Sequence, residues 1–251
     1  MKVRIKYTKS GNLKFIGHLD VMRYFQKAVK RAGLDIAYSQ GFSPHQLMSF
    51  AAPLALGVTS EGEYFDAEFN SLVSSDEFVR RLNEQMVEGM AVNDVILLPD
   101  NAKNSMSVVA ASDYIITILD VVPSEIKERM LSYVPHLLEK ESIDIYKKTK
   151  KNEKVEDIKP GILKLSVESG RENVLQNRYV EDVMKMDKLY MLLATGSNYN
   201  LKPELVLQAV CREIGYEYER FDYQIHRLET YMKKEDGKLY SLLESGTRIE
   251  E

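Results

Sequence analysis

The amino-acid sequence predicts an α+β fold of two units, each built on a mostly antiparallel sheet. Over the first hundred residues, segments with two-residue hydrophobic alternation and segments with three- and four-residue spacing follow one another in the order β-α-β-β-α-β. That order is the split βαβ arrangement of ferredoxin-like units. A similar order of patterns returns after a small, polar, turn-rich stretch, without any residue-level repeat. A chain of 251 residues with 44% hydrophobic content suits one large domain or two small ones with real cores.

Val3, Ile5 and Tyr7 alternate with Lys2, Arg4 and Lys6, which marks a half-buried strand. "SGN" at 10–12 then turns the chain. From His18 to Ala32 the spacing of Leu19, Met22, Phe25, Val29 and Ala32 is helical, and Gly33 supplies a stop. Ile36–Tyr38 reads as a short strand and "GEYFDAEFN" as a longer one. "SSDEFVRRLNEQM" starts with the N-cap candidates Ser74 and Ser75, carries acids in its first turn, and reads as a helix. Val92–Leu98 is the last strand of a first unit spanning 1–100. Asn101–Ser107 is the expected linker, and 108–251 the second unit.

In that second unit "YIITILDV" is a strand and "PSEIKERMLSYVPHLLEK" a helix that Pro135 kinks or ends. "SIDIYKKT", "GILKLSVESG" and "DKLYMLLATGS" read as strands. "KPELVLQAVCREIG" is a helix and "FDYQIHRLETYM" a closing strand.

Composition narrows the functions. Net charge is −4, so bulk charge does not make the molecule a polyanion binder, and a nucleic-acid role needs a local basic face. The single cysteine, Cys211, can form no internal disulfide and cannot hold an iron–sulfur cluster or a Cys-rich zinc site. Its place in a helical pattern suits a buried thiol. The first residues contain no apolar run of signal-peptide length, and no run approaches the ~18–20 apolar residues of a membrane span. The expectation is a cytoplasmic protein with no cofactor and no membrane contact.

Two neighbouring stretches carry the candidate chemistry. On the first helix, Arg23, Lys27, Lys30 and Arg31 share a face, and Lys2, Arg4, Lys6, Lys9 and Lys14 precede it. This asymmetry is either a solvated surface or a phosphate-contacting face. Next comes "YSQGFSPHQLMSFAAPLALGV", Tyr38–Val58, with no charged residue. Gly41 permits a positive φ and Pro44 fixes a turn. Ser39, Gln40, Ser43, His45 and Gln46 offer neutral hydrogen-bonding groups, with Phe42, Phe50 and Leu54 as apolar anchors. The stretch reads as an irregular cover for a sheet edge or as a binding loop that contacts a base or small molecule while the helix holds phosphates. His18, Asp20 and His45 form an incomplete metal set, and no local framework supports a Ser-His-Asp assignment. Further on, the lysine-rich "KKTKKNEKVEDIKP" suits a solvated hairpin tip or a protected edge. "ATGSNYNLKPELVL" brings Thr195, Gly196, Ser197, Asn198 and Lys202 to a helix start, a candidate anion site without P-loop spacing.

The sequence resembles the bacterial radical-SAM-linked family, long labelled a domain of unknown function. The resemblance rests on His18-Leu19-Asp20, Arg23, Lys30-Arg31-Ala32-Gly33-Leu34, Tyr38–Phe42, Pro44-His45, Ser49-Phe50-Ala51, Pro53-Leu54, Gly57, Glu63 and Asp66. Ser43 and Gln46 stand where that pattern usually has Asn and Pro. "VEDIKPGI" and "ATGSNYNLKPELVL" extend the resemblance through most of the chain. It implies a separate radical SAM protein as partner and work on RNA or ribosomal components, without fixing an activity. The alternatives are a stand-alone enzyme using His18, Asp20, Arg23 and His45, and a protein-interaction scaffold.

Overall fold

The computed structural model describes residues 1–148, 153–168, 188–197 and 199–250. The chain is α+β with a mostly antiparallel sheet, as its hydrophobic periods predict. It divides into two compact units. The first comprises Met1–Ser112, Thr195–Ser197 and Arg227–Glu251, and the second Asp113–Ala194 and Asn198–His226. Asn101–Ser107 lies within the first.

In the first unit β1 (Lys2–Lys9) leads through a short 3-10 turn into α1 (His18–Arg31), and after the uncharged stretch come β2 (Met48–Phe50) and β3 (Thr59–Glu68). Then follow α2 (Ser75–Asn83), β4 (Met90–Leu97) and the single turn α3 (Ser105–Val108). β1 pairs antiparallel with both β3 and β4, and β2 pairs antiparallel with β3. The resulting order, β4-β1-β3 with β2 outermost, is that of a split βαβ unit.

Register fixes the two faces of this sheet. Val3, Ile5 and Tyr7 stand opposite Ala67, Phe65 and Glu63, so these six share a face. Val21, Phe25, Ala28 and Val29 of α1 and Phe78 and Leu82 of α2 pack on that face. Tyr7, Phe25, Phe50 and Phe65 meet ring to ring, with centroids 4.7 Å apart for Tyr7–Phe25 and 5.0 Å for Phe50–Phe65. The other face carries Arg4, Lys6, Tyr64 and Asp66.

In the second unit β5 (Val109–Ile118), which begins in the first, is followed by α4 (Ser124–Leu137) and the hairpin β6 (Asp144–Lys148)–β7 (Glu153–Asp157). Pro135 sits inside the last turn of α4, which ends two residues later. Next come β8 (Ile162–Glu168), β9 (Lys188–Ala194), α5 (Pro203–Glu213) and β10 (Tyr223–Lys233), whose Tyr223–His226 part belongs here. The sheet order β10-β5-β9-β8 repeats the arrangement of the first unit, with the β6–β7 hairpin added. Met130, Val134 and Leu137 of α4 and Val206, Leu207, Val210 and Cys211 of α5 are buried. The Cys211 Sγ lies 3.1 Å from the Tyr223 hydroxyl, and burial raises its pKa. Asp157 Oδ1 accepts from the backbone N–H groups of Ile143 (2.8 Å) and Lys159 (2.9 Å), so the "VEDIKP" segment is held both by its own turn and by the residue before β6.

Arg227–Glu251 returns to the first unit with the rest of β10 and with β11 (Leu239–Ser241), which pairs antiparallel with β10. Thr247 bridges Leu97, and Ser245 accepts a hydrogen bond from Arg4. The last residues thereby help cover the polar face of the first sheet.

Candidate functional site

The sequence pattern adds the cations of β1 to a polyanion footprint. The structure assigns them instead to the fold. Arg4 is 1% exposed and Asp66 2%. Arg4 Nε donates to Asp66 Oδ1 at 2.8 Å and Nη2 to Oδ2 at 3.1 Å, a bidentate pair. Arg4 also donates to Ser245 Oγ and the Lys103 carbonyl, and the Ser105 N–H donates to Asp66 Oδ2. Lys6 pairs with Glu229 at 2.6 Å, and Glu229 also accepts from the Tyr64 hydroxyl. Lys9 is buried and donates to the Ile16 carbonyl; desolvation lowers its pKa. The cause is long-range. The alternating pattern marks one polar face, but segments far along the chain cover that face, so its charges are paired rather than hydrated.

On the helix-bearing face Glu63 accepts from Arg227 at 2.8 Å. Arg227 also donates to the Ala52 carbonyl at 3.0 Å, which ties the uncharged stretch to the sheet. Phe50, Ala51 and Val58 are buried and anchor the same stretch. Phe42 does not anchor it. Its side chain is fully exposed at the loop tip, and Leu54 is only half-buried.

The loop itself is a small closed structure. The Ser39 N–H donates to the His45 carbonyl at 2.8 Å, and Tyr38 and Gln46 form a bridge. Between them Gln40, Gly41, Phe42, Ser43 and Pro44 are exposed, with Gly41 at φ 109°, where a side chain would be strained. Ser39 Oγ accepts from the His45 backbone N–H at 3.1 Å and lies 2.9 Å from its ring Nδ1. Either the hydroxyl or the ring Nδ1–H donates in this contact, according to the tautomer of the ring.

Gln46 joins this loop to α1. Its Nε2 donates to the Gln26 carbonyl at 3.1 Å and to the Tyr38 hydroxyl at 3.4 Å. Gln26 follows Arg23 by three residues and precedes Lys30 by four, so those two cations lie on the loop side of α1. Arg23, Lys27 and Lys30 are exposed, and Arg23 makes a 3.8 Å surface pair with Asp20. Arg31 lies on the other flank, where it and Tyr24 donate to the Gln85 carbonyl. Arg31 is thus separated from the cations with which its spacing groups it.

The remaining sequence candidates are also placed. His18 is the first residue of α1 and caps nothing; its ring meets Phe50 edge-on at 5.2 Å. It forms no hydrogen bond with Asp20 or His45. No cluster of three His, Cys, Asp or Glu groups suited to a metal occurs among the described residues. Ser197 is exposed and belongs to the first unit, whereas Lys202 is the N-cap residue of α5 in the second. Asn198 lies outside the described residues, as do Lys150 and Lys151 of the lysine-rich stretch.

One feature escaped sequence reasoning. Beside the loop stem lies a pocket of about 170 Å³, lined by Lys2, His45–Ser49, Asp66–Glu68 and Asn104. Its walls come from β1, the loop stem, β2, β3 and the segment before α3, a convergence that no sequence spacing reveals. Gln46 is 9% exposed, and its Oε1 is buried without accepting a hydrogen bond from any protein group.

Fold and site together define a class: an α+β protein with two split βαβ units, one of which carries a neutral loop beside a basic helix. The chain belongs to the DUF2344 family, described as "Uncharacterized protein conserved in bacteria", whose model matches residues 2–203. No curated protein matches it. Among solved structures the chain is similar to one from a "Crystal Structure of a Cbf5-Nop10-Gar1 Complex". The identity is 9% and the TM-score 0.42, with 91% of this chain and 48% of that one covered. The chain spans about half the length of that solved chain. No helix among the described residues is long and apolar enough to cross a membrane.

Proposed function

We propose that this chain is a binding module for RNA, or for an RNA-bearing particle such as the ribosome, and that it works with a separate radical SAM protein. The observation that carries the RNA reading is Phe42, fully exposed at the tip of an uncharged loop beside the exposed cations Arg23, Lys27 and Lys30. Unpaired bases stack on such aromatics at ~1–3 kcal/mol each, and a nearby basic face neutralises phosphates. Ser39, Gln40 and His45 add neutral groups suited to base edges. The partner is supported by the family resemblance. Cys211, a single buried thiol, gives this chain no ligand set for a cluster, so radical chemistry falls to the partner. A stand-alone enzyme is less supported, because His18 packs on Phe50 and Asp20 pairs with Arg23.

The chain contains no tryptophan, so Phe42→Trp installs a unique reporter. Single-stranded RNA should quench its fluorescence. In Lys27→Ala/Lys30→Ala the log–log salt dependence of binding should flatten by ~0.7 per lost phosphate contact, on the order of 1.4 for two. Replacing Gln40 or His45 should change sequence preference with little change in slope. RNA that leaves the indole fluorescence of the Phe42→Trp protein unchanged, together with a salt slope unaltered in folded lysine variants, would overturn this reading and leave the face to a protein partner.

A further inference from the structure

We infer that the β6–β7 hairpin is a second contact for single-stranded RNA, with an unpaired base stacked on Tyr146 and its phosphates neutralised by the lysines at the adjoining strand positions. The class of ligand rests on the RNA reading above. The site itself belongs to the second unit and shares no residue with the loop and helix of the first.

The hairpin is fixed at its base and open beyond it. Among the described residues β6 and β7 pair only with each other, and two strands alone are marginal in water. The base supplies the anchorage. Ile143, Ile145 and Ile158 are buried, and the Ile158 N–H donates to the Ile143 carbonyl at 2.9 Å. Arg212 of α5 donates to the Asp144 carbonyl at 2.7 Å. One residue beyond Ile145, Tyr146 stands opposite Val155, and the two are 77% and 51% exposed. An aromatic paired with a β-branched residue across two strands helps to hold a hairpin. That task uses only part of the Tyr146 side chain, and most of it stays open to a planar ligand.

Charge changes sign along the hairpin. At its base Asp144 stands opposite Asp157, whose Oδ1 accepts from two backbone N–H groups. Beyond Tyr146, Lys147 stands opposite Lys154 and Lys148 opposite Glu153. Like charges directly opposite each other destabilise an antiparallel pair. A bound anion offsets the repulsion between Lys147 and Lys154, and the phosphate beside a stacked base is such an anion. A protein partner is less well served. One tyrosine and one valine make a small apolar centre for an interface of ~800 Å² per partner. Lysines that only protect an edge require no exposed aromatic next to them.

The chain has no tryptophan, so Tyr146→Trp gives the full-length protein a single indole at this position. Single-stranded oligoadenylate should quench it, and should bind Tyr146→Ala roughly tenfold more weakly than wild type and Tyr146→Phe equally well. Lys147→Ala/Lys154→Ala should flatten the log–log salt dependence by ~0.7 per lost phosphate contact, on the order of 1.4 for two. A circular dichroism spectrum matching wild type separates these losses from unfolding. In a background of Phe42→Ala/Lys27→Ala/Lys30→Ala, which disables the first contact, the Tyr146→Trp indole should still be quenched. If RNA quenches the indole of Phe42→Trp but not that of Tyr146→Trp, and Lys147→Ala/Lys154→Ala keeps the wild-type slope, the hairpin assignment is wrong and the RNA reading survives. If only the Tyr146→Trp indole responds, the reading of the loop and helix fails and the hairpin is the RNA contact. Silence of both overturns both. Oligoglutamate that quenches the Tyr146→Trp indole where oligoadenylate does not would give the hairpin to an acidic protein and overturn the inference.

Discussion

Arg4 and Asp66 form a bidentate pair in which neither side chain is more than 2% exposed, so their removal separates a structural from a functional role for this part of the sequence. Asp66→Ala leaves a buried guanidinium whose remaining partners are the Ser245 hydroxyl and the Lys103 carbonyl. Breaking one side of such a pair costs about 3–5 kcal/mol. Arg4→Met strands the carboxylate and should cost a similar amount. The double variant Arg4→Met/Asp66→Leu removes both charges and replaces them with apolar volume. Its main residual penalty is the Ser105 N–H, which loses its 2.7 Å acceptor in a fully buried position, at ~1–3 kcal/mol. The double variant should therefore be no less stable than either single one, and the coupling energy should be at least ~2 kcal/mol. Total stabilities of ~5–15 kcal/mol make these differences large. Urea unfolding followed by circular dichroism and by the intrinsic fluorescence of the 15 tyrosines measures them. An Asp66→Ala midpoint within experimental error of wild type, or additive losses in the double variant, would refute the buried-pair account.

Two further outcomes follow from packing and burial. A Cβ on Gly62 would lie 2.3 Å from Glu229 Cα and 2.8 Å from the Leu228 carbonyl oxygen, so Gly62→Ala must push β3 and β10 apart; a loss of at least ~1–3 kcal/mol is expected, and an unchanged urea midpoint would contradict the close approach. His226 is half-buried as a residue, but its Nε2 is out of solvent contact, and desolvation holds its pKa down to about 4 from an ordinary 6.5. The unfolded state thus takes up its proton first. The stability His226 contributes is complete above about pH 6.5 and is lost as pH falls toward about 4. In a proton NMR titration one of the four histidines should stay neutral until about pH 4; titration of all four near 6.5 would exclude this.

Periodicity made most of the fold legible. The alternation of Val3, Ile5 and Tyr7 and the helical spacing of Val21, Phe25 and Val29 report which side faces a core, and the structure uses those same residues. Elements too short to complete a period were invisible: β2 and β11 have three residues each, and α3 has four. The β7 strand, with one lysine and three acids in five residues, shows no alternation of its own, and its stretch reads only as a hairpin tip or a protected edge. The greater loss concerns charge. A lysine or arginine on the second face of a strand reads as solvated, and only the arrival of Lys103, Glu229 and Ser245 turns Arg4 and Lys6 into paired groups. Those partners lie 99 or more residues away in sequence. The pocket was hidden for the same reason. Gln46, which ties the loop to α1, also stands where the family pattern usually has Pro, so the resemblance assigns it no role.

That redistribution of charge sharpens the functional argument. Within the stretch that carries the family resemblance, Glu63 and Asp66 neutralise Arg227 and Arg4, and Phe50 and Ala51 fill cores. Their identities are accounted for by folding. Arg23, Gln40 and Phe42 have no comparable task. Arg23 makes only an exposed pair, of a kind that contributes ~0–1 kcal/mol. Phe42 forfeits the ~1.5–3 kcal/mol that burial of a phenylalanine gives, although the loop holding it is closed by ordered hydrogen bonds on both sides. A loop built only to cover a sheet edge would turn this ring inward, as it does Phe50. Removing β1 from the basic footprint leaves fewer cations than the sequence suggested, but three that remain exposed, Arg23, Lys27 and Lys30, sit on the helix to which Gln46 ties this loop. On the RNA reading proposed above, this smaller footprint predicts few phosphate contacts and a shallow salt dependence, with selectivity left to the aromatic tip and the neutral loop groups rather than to charge.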